Sequence, residues 1–237
     1  MTIGITRFKK QLAGFFLASL CVLQLSACGD KDADKRKAFG DYLQNTAMRS
    51  GIQLPALSES QKKSFGEYAG DYAILYGFSQ QLTRVVNDGV RPVVESLNTI
   101  RVPQDYLTRR DDLRQAHGAF VLAVQQLQSA KNLADSSKSS LKLPDDLQKI
   151  YQETYEKTVN QPYAQLQPLL SPFQELTQSV LAVGDFLQAQ HNQVSLTDNQ
   201  VHFATDAQVT TYNSLVSTVE RQSKAFAEAK SLLTTMQ

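Results

Sequence analysis

Tryptophan is absent from the 237-residue chain, histidine occurs three times and cysteine twice. So few thiols and imidazoles exclude a disulfide framework and a paired-cysteine metal site. His117, His191 and His202 are scattered and lack acidic partners at ligand spacing, so surface or boundary positions are expected and no metal is assigned. Neither a Gly-x-Ser-x-Gly elbow, nor His-Glu-x-x-His, nor a phosphate loop occurs. Ser60 to Lys63 and Ser139 to Lys142 match Ser-x-x-Lys, but Lys157-Thr158-Val159 lacks the glycine of the companion element and no Ser-Asp-Asn is present. Both matches read as incidental, and no catalytic residue, enzyme activity or cofactor is assigned. Proline is sparse at seven residues, while Gln, Leu, Ala and Ser are plentiful, a composition that favours helices.

The chain also lacks an apolar run of the ~20 residues that spanning a bilayer requires. What it has at its start is shorter and more specific. Arg7, Lys9 and Lys10 precede an apolar stretch from Leu12 to Leu23, and Ser26-Ala27 supply the small residues of a cleavage site. Leu25-Ser26-Ala27-Cys28 resembles a bacterial lipobox. The resemblance implies cleavage between Ala27 and Cys28, lipidation of Cys28, and anchoring through two or three acyl chains. A single chain would hold only marginally, at roughly 0.8 kcal/mol per buried CH₂. Gly29, not an acid, follows Cys28, which by the sorting rule of such lipoproteins favours the periplasmic face of the outer membrane over the inner membrane.

Removing residues 1–27 leaves 210 residues with 21 Lys and Arg against 23 acids, a net charge of −2. That balance excludes a nucleic-acid-type basic footprint. Cys21 leaves with the signal, so the mature chain would have no free thiol. Residues 28–37 read as the lipidated Cys and a flexible tether. Asp30, Asp32 and Asp34 alternate there like a calcium loop without its glycine and terminal glutamate.

Residues 38–237 are expected to form a single all-α domain, an elongated bundle of five or six helices with one small β-hairpin near 193–203. The first helix runs from about Asp34 to Arg49. A capping box at Ser58 to Gln61 opens a helix over about 59–88. Phe65, Tyr68, Tyr72, Leu75, Leu82 and Val86 form its apolar seam, and Gly66, Gly70, Ala73 and Gly77 a small-residue stripe. Each Gly costs up to about 1 kcal/mol in a helix interior, so the stripe predicts close approach of a second helix. The pattern predicts a central helix buried all round, ending at Gly89 and restarting at Arg91-Pro92. A surface helix over about 104–137 carries Leu113, Ala116, Phe120, Ala123, Leu127, Ala130 and Ala134. Pro144 restarts the chain, and Pro162, Pro168 and Pro172 are expected to kink or interrupt the helix beyond it. Leu166, Leu169, Phe173, Leu176, Val180, Val183 and Leu187 make the next seam. Leu196 should pair with Val201 and Val194 with Phe203 around Asp198-Asn199. A second capping box, Thr205 to Gln208, opens a last helix to about Thr235.

Met48-Arg49-Ser50-Gly51, Asp71-Tyr72-Ala73-Ile74-Leu75-Tyr76-Gly77, Arg91-Pro92-Val93-Val94, Ile100-Arg101-Val102-Pro103-Gln104-Asp105-Tyr106 and Val183-Gly184-Asp185 together resemble the YiaF-like family of enteric bacterial lipoproteins. The resemblance covers the whole mature chain and its lipobox. That family is a domain of unknown function, so it implies an envelope location and no chemistry.

Two candidates for function remain. Asp71 is the one charged residue between Ala69 and Phe78, and if buried it needs a partner, with a structural ion pair to an Arg expected. The aromatic seam of Phe65, Tyr68, Tyr72, Tyr76 and Phe78 is either core or a groove for an acyl chain or an amphipathic helix. The expected partners are the membrane, through the N-terminal lipid, and an envelope protein. A non-enzymatic interaction protein is the leading expectation, with an apolar-ligand binding module as the alternative.

Overall fold

The computed structural model describes residues 31–190 and 192–235. Cys28, Ala27 and His191 lie outside the described residues. Helix α1 occupies residues 31–45, followed by a 3₁₀ turn, Ala47–Arg49. Then come α2 (Glu59–Phe65), α3 (Tyr68–Arg84), α4 (Arg91–Leu97), the single turn α5 (Asp105–Thr108), and α6 (Arg110–Ser140). Helices α7 (Asp145–Tyr155) and α8 (Gln161–Ala189) lead to strands β1 (Val194–Thr197) and β2 (Gln200–Phe203) and to α9 (Asp206–Thr235).

The all-α class with one small hairpin holds, but the helix count does not. The described residues contain seven continuous helical runs, because the sequence signals for breaks fall in the wrong places. Gly66, expected inside a helix, separates α2 from α3 with φ +61°, a conformation that glycine adopts without strain. Gly89, expected to end a helix, sits in a π-helical turn, Val85–Val90, and the backbone runs on into α4. A second π turn, Glu156–Asn160, joins α7 to α8.

Both π turns stand immediately before an x-Pro pair, Arg91-Pro92 and Gln161-Pro162. The Arg91 amide bonds Val86 O and the Gln161 amide bonds Glu156 O, each five residues back. A proline ring ordinarily collides with the carbonyl four residues earlier. The wider turn relieves that crowding and lets the helix continue. Pro168 and Pro172 lie within α8 without interrupting it, so the expected interruptions are replaced by one continuous run.

Cross-contacts establish the direction of each run. The Tyr151 hydroxyl donates to Asp71 O at 2.8 Å, and the Phe78 and Tyr163 rings lie 6.4 Å apart, so α3–α4 runs parallel to α7–α8. Gln81 Nε2 donates to Gln126 Oε1 at 3.0 Å, and Gly89 lies against Phe120 and Ala123, so α6 runs antiparallel to both. These three long helical runs, joined by α9 as a fourth, form the body of a rod. The seam residues Leu113, Phe120, Leu127, Leu166, Phe173, Val180 and Leu187 are buried along it.

One end of the rod is closed by α1. Phe39 and Tyr42 enter the seam of α2 and α3, Gly40 packs against Leu147 and Ile150 of α7, and Arg36 lies 3.7 Å from Asp146. Residues 31–37, expected as tether, are therefore helical and held. The Tyr68 hydroxyl reaches Asp32 at 3.4 Å, and the Lys35 stem covers Gly66.

At the other end the hairpin forms in the expected register, Val194 opposite Phe203 and Leu196 opposite Val201. Asp198 and Asn199 both have positive φ, at 52° and 61°, as a two-residue primed turn demands. Gln208, capped by Thr205, donates to Gln190 and Gln193 at 2.8 and 2.7 Å and ties the hairpin to the α8–α9 corner. Helix α9 then returns along α8, with Phe226 5.0 Å from Phe173.

Candidate functional site

The aromatic seam is core. Phe65, Tyr68, Tyr72 and Phe78 are buried, Tyr72 to 1% exposure, and only Tyr76 is half-exposed. Rings from α1 occupy the space that a ligand would need, at centroid distances of 5.2–5.7 Å. The Tyr72 hydroxyl donates to Pro55 O at 2.7 Å, and burial pushes its pKa well above the ordinary phenol value. Ser79 clamps the same loop, donating to Ile52 O and accepting from the Leu54 amide. Tyr68 and Tyr72 are structural anchors, hydrogen-bonded and packed.

Asp71 is half-buried on α3. No ion pair engages it among the described residues, so the expected arginine partner is absent. Burial, and then the negative charge of Glu67, push its carboxyl above the usual range. It is its backbone carbonyl, not its carboxylate, that takes the Tyr151 hydroxyl.

The small-residue stripe also differs from expectation. Gly70, Ala73 and Gly77 are exposed, and an added Cβ at either glycine would meet nothing within 4 Å. Helix α3 is therefore not buried all round. Instead of contacting a second helix closely, the stripe floors an open apolar cleft of about 350 Å³ between α3 and α6. Ile74, Ala130, Ala134 and Leu133 form its walls, and Leu133 is 68% exposed.

Two further clefts were not anticipated. They adjoin at the C-terminal end of α6 and along α7, sharing Lys138 and Gln152. The first, about 420 Å³, is lined by Lys138, Lys142, Gln148 and Gln152 with Leu141, Leu143 and Tyr151, and no carboxylate lines it. The second, about 540 Å³, adds Lys149 and Lys157 but also Glu153 and Glu156. Glu156 accepts from Asn160 Nδ2 at 2.7 Å. Lys138 Nζ stands 4.5 Å from the Tyr155 ring centroid, a cation–π contact. The Tyr155 hydroxyl in turn donates to Asp135, whose carboxylate Lys131 also binds. The available signal was the four-residue spacing of Lys138 and Lys142 in Lys-Ser-Ser-Leu-Lys, which puts them on one helix face only while the helix lasts.

At the hairpin end, Arg110 and Arg114 meet Asp185 at 3.8 and 2.5 Å. Gly184 beside it lets the Tyr106 carbonyl approach so closely that a Cβ would lie 2.4 Å away. Asp105 accepts the Arg101 and Val102 amides at 2.8 and 2.9 Å, and these bonds hold its carboxyl below the usual range. His117 is half-buried and its pKa is lowered by burial, while His202 lies exposed on β2. Among the described residues no group of His, Cys, Asp or Glu is arranged to hold a metal ion. No described helix is long and apolar enough to cross a membrane.

No solved structure matches this chain. It is 47% identical over 212 residues, 90% of each chain, to the uncharacterized protein YiaF of Escherichia coli strain K12 and, at the same identity and coverage, to that of Shigella flexneri. A family model described as a protein of unknown function, DUF3053, matches residues 16–234. A family match over most of the chain, together with relatives 47% identical over 90% of it, shows that the chain belongs to the DUF3053 family.

Proposed function

We propose that this is a lipid-anchored envelope protein, attached through Cys28 at the periplasmic face of the outer membrane, that binds a protein partner and catalyses nothing. The observation that carries the reading is the contrast between core and surface. The aromatic seam is filled by the chain's own α1, whereas the α3–α6 cleft leaves three small residues uncovered on a helix where each glycine is costly. Glycine on an exposed helix face fits close approach of another backbone, so a partner helix is the expected occupant.

Two measurements test this. Cys28→Ser should yield an unacylated chain released from the membrane fraction; unchanged mass and membrane retention would refute the anchor. A photo-crosslinking residue at Leu133 should capture a defined envelope protein in intact cells, and one at Gln222 should not. Equal capture at both positions would refute the cleft as the partner site. A second reading, an apolar ligand in the same cleft, is supported by its lining, and predicts a co-purifying lipid in native mass spectra.

A further inference from the structure

We propose that the cleft between the end of α6 and α7 is a phosphate-binding site, with Lys138 and Lys142 as its charges and Gln148 and Gln152 as neutral donors. Three observations converge on it. First, no carboxylate lines this cleft, and neither Lys138 nor Lys142 forms a salt bridge among the described residues. Two ammonium groups lining one cleft repel each other, a cost that a bound anion reverses. Second, Lys138 is positioned: it stands over the Tyr155 ring, and Tyr155 is itself fixed by Asp135. Asp135, which also feels the charge of Lys138, is occupied by Lys131 and Tyr155, and Glu153 and Glu156 line the adjoining cleft that shares Lys138. Third, the amides of Gln148 and Gln152 add donors that tolerate a crowded anion, and Leu141 and Leu143 supply an apolar border.

The location identifies the source of the phosphate. The 141–144 loop and the start of α7 lie at the end of the rod that α1 closes, where Arg36 meets Asp146. Across residues 31–37 four bases face two acids, and across 138–149 three bases face two acids. These two segments are thus net basic in a mature chain of net charge −2. Only Gly29 and Asp30 separate Cys28 from the first described helical residue, a reach of roughly 10 Å. If Cys28 is lipidated, as the proposed function holds, the cleft opens within a Debye length or two of the headgroups. An acidic phospholipid bound there would strengthen the anchor. The phosphate headgroup of such a lipid is the expected occupant, and free phosphate the other source of the same chemistry.

The test uses the full mature chain purified in neutral detergent at 150 mM salt. Inorganic phosphate and dihexanoyl phosphatidylglycerol are titrated by calorimetry against wild type, Lys138→Gln/Lys142→Gln, and Lys224→Gln/Lys230→Gln, which removes equal charge on α9. Saturable binding of either probe is expected, at least tenfold weaker in the first variant and unchanged in the second. All substituted positions tolerate Gln in a helix or loop, and matching melting curves verify folding. Binding of phosphatidylglycerol alone identifies a headgroup site, and equal binding of phosphate a soluble source. No saturable binding, or equal loss in both variants, overturns the site. Binding of phosphate by the unlipidated Cys28→Ser chain separates this proposal from the anchor.

Discussion

Asp71 carries a charge that its surroundings disfavour. Burial and Glu67 both raise its carboxyl pKa, and among the described residues no cation compensates. Between the unfolded value near 4 and the raised folded value, the native state binds more protons than the unfolded state. Stability contributed by this group therefore falls as pH rises through that window and stays reduced above it. Asp71→Asn should accordingly raise the melting temperature at pH 7, and the advantage should shrink to nothing below about pH 3.5. Thermal melts of the two proteins across pH 3–8 check this, and a variant that melts lower at pH 7 would show that Asp71 has a favourable partner. Asp105 has the opposite sign. Its depressed carboxyl contributes stability above the unfolded pKa that is lost as pH falls through the folded one, because protonation weakens its two amide bonds. Side-chain identity revealed neither environment. Whether an aspartate is capped by amides or stranded beside Glu67 depends on turn geometry that spacing alone does not specify.

At the level of helices, three glycines of one type have three different roles. Gly66 adopts a left-handed φ and breaks a helix; Gly89 admits α6, since its Cβ would lie 3.2 Å from that of Ala123; Gly77 faces an open cleft. The Gly77→Ala substitution should stabilise the isolated protein by about 0.5–1 kcal/mol through backbone entropy. Gly89→Ala should destabilise it by about 1 kcal/mol or more, as the crowded α6 must shift. Chemical denaturation of both variants measures the contrast, and a neutral or destabilising Gly77→Ala would mean that the stripe is packed. The same substitution should reduce partner crosslinking at Leu133 if the cleft holds a helix. Seams and capping boxes were legible because period and cap chemistry are local. Helix ends were not. Prolines 92 and 162 signal termination locally, yet a preceding π turn removes the clash, and the packing of Val85, Val90 and Val159 keeps those turns helical. The aromatic seam was legible as apolar but not as filled, because Phe39 and Tyr42 come from a helix whose docking no periodicity announces.

The whole molecule is a rod with chemically distinct ends. The α7–α8 run from residue 145 to 189 has a contour length of roughly 65 Å at 1.5 Å per residue. It starts beside α1 and ends at the hairpin. Because α1 is helical from residue 31 and docked on α3 and α7, the anchor would join the body through a very short link at the α1 end. A long flexible tether would allow any orientation; a short one beside net basic segments favours a rod standing away from the bilayer, with Asp198-Asn199 outermost. On the proposed anchor, lipidation would use the mature chain's one cysteine, and a single new cysteine could be labelled without interference. With acceptor lipids in the headgroup layer of reconstituted vesicles, energy transfer should be strong from a label at Lys37 and weak from one at Asn199. Inserting a ten-residue Gly-Ser linker after Asp30 should narrow that difference, since it adds a coil of roughly 15–20 Å r.m.s. span. Adding salt to ~0.5 M should act in the same direction by screening the basic segments. Equal transfer from both positions in the unmodified protein would mean that the rod lies along the membrane.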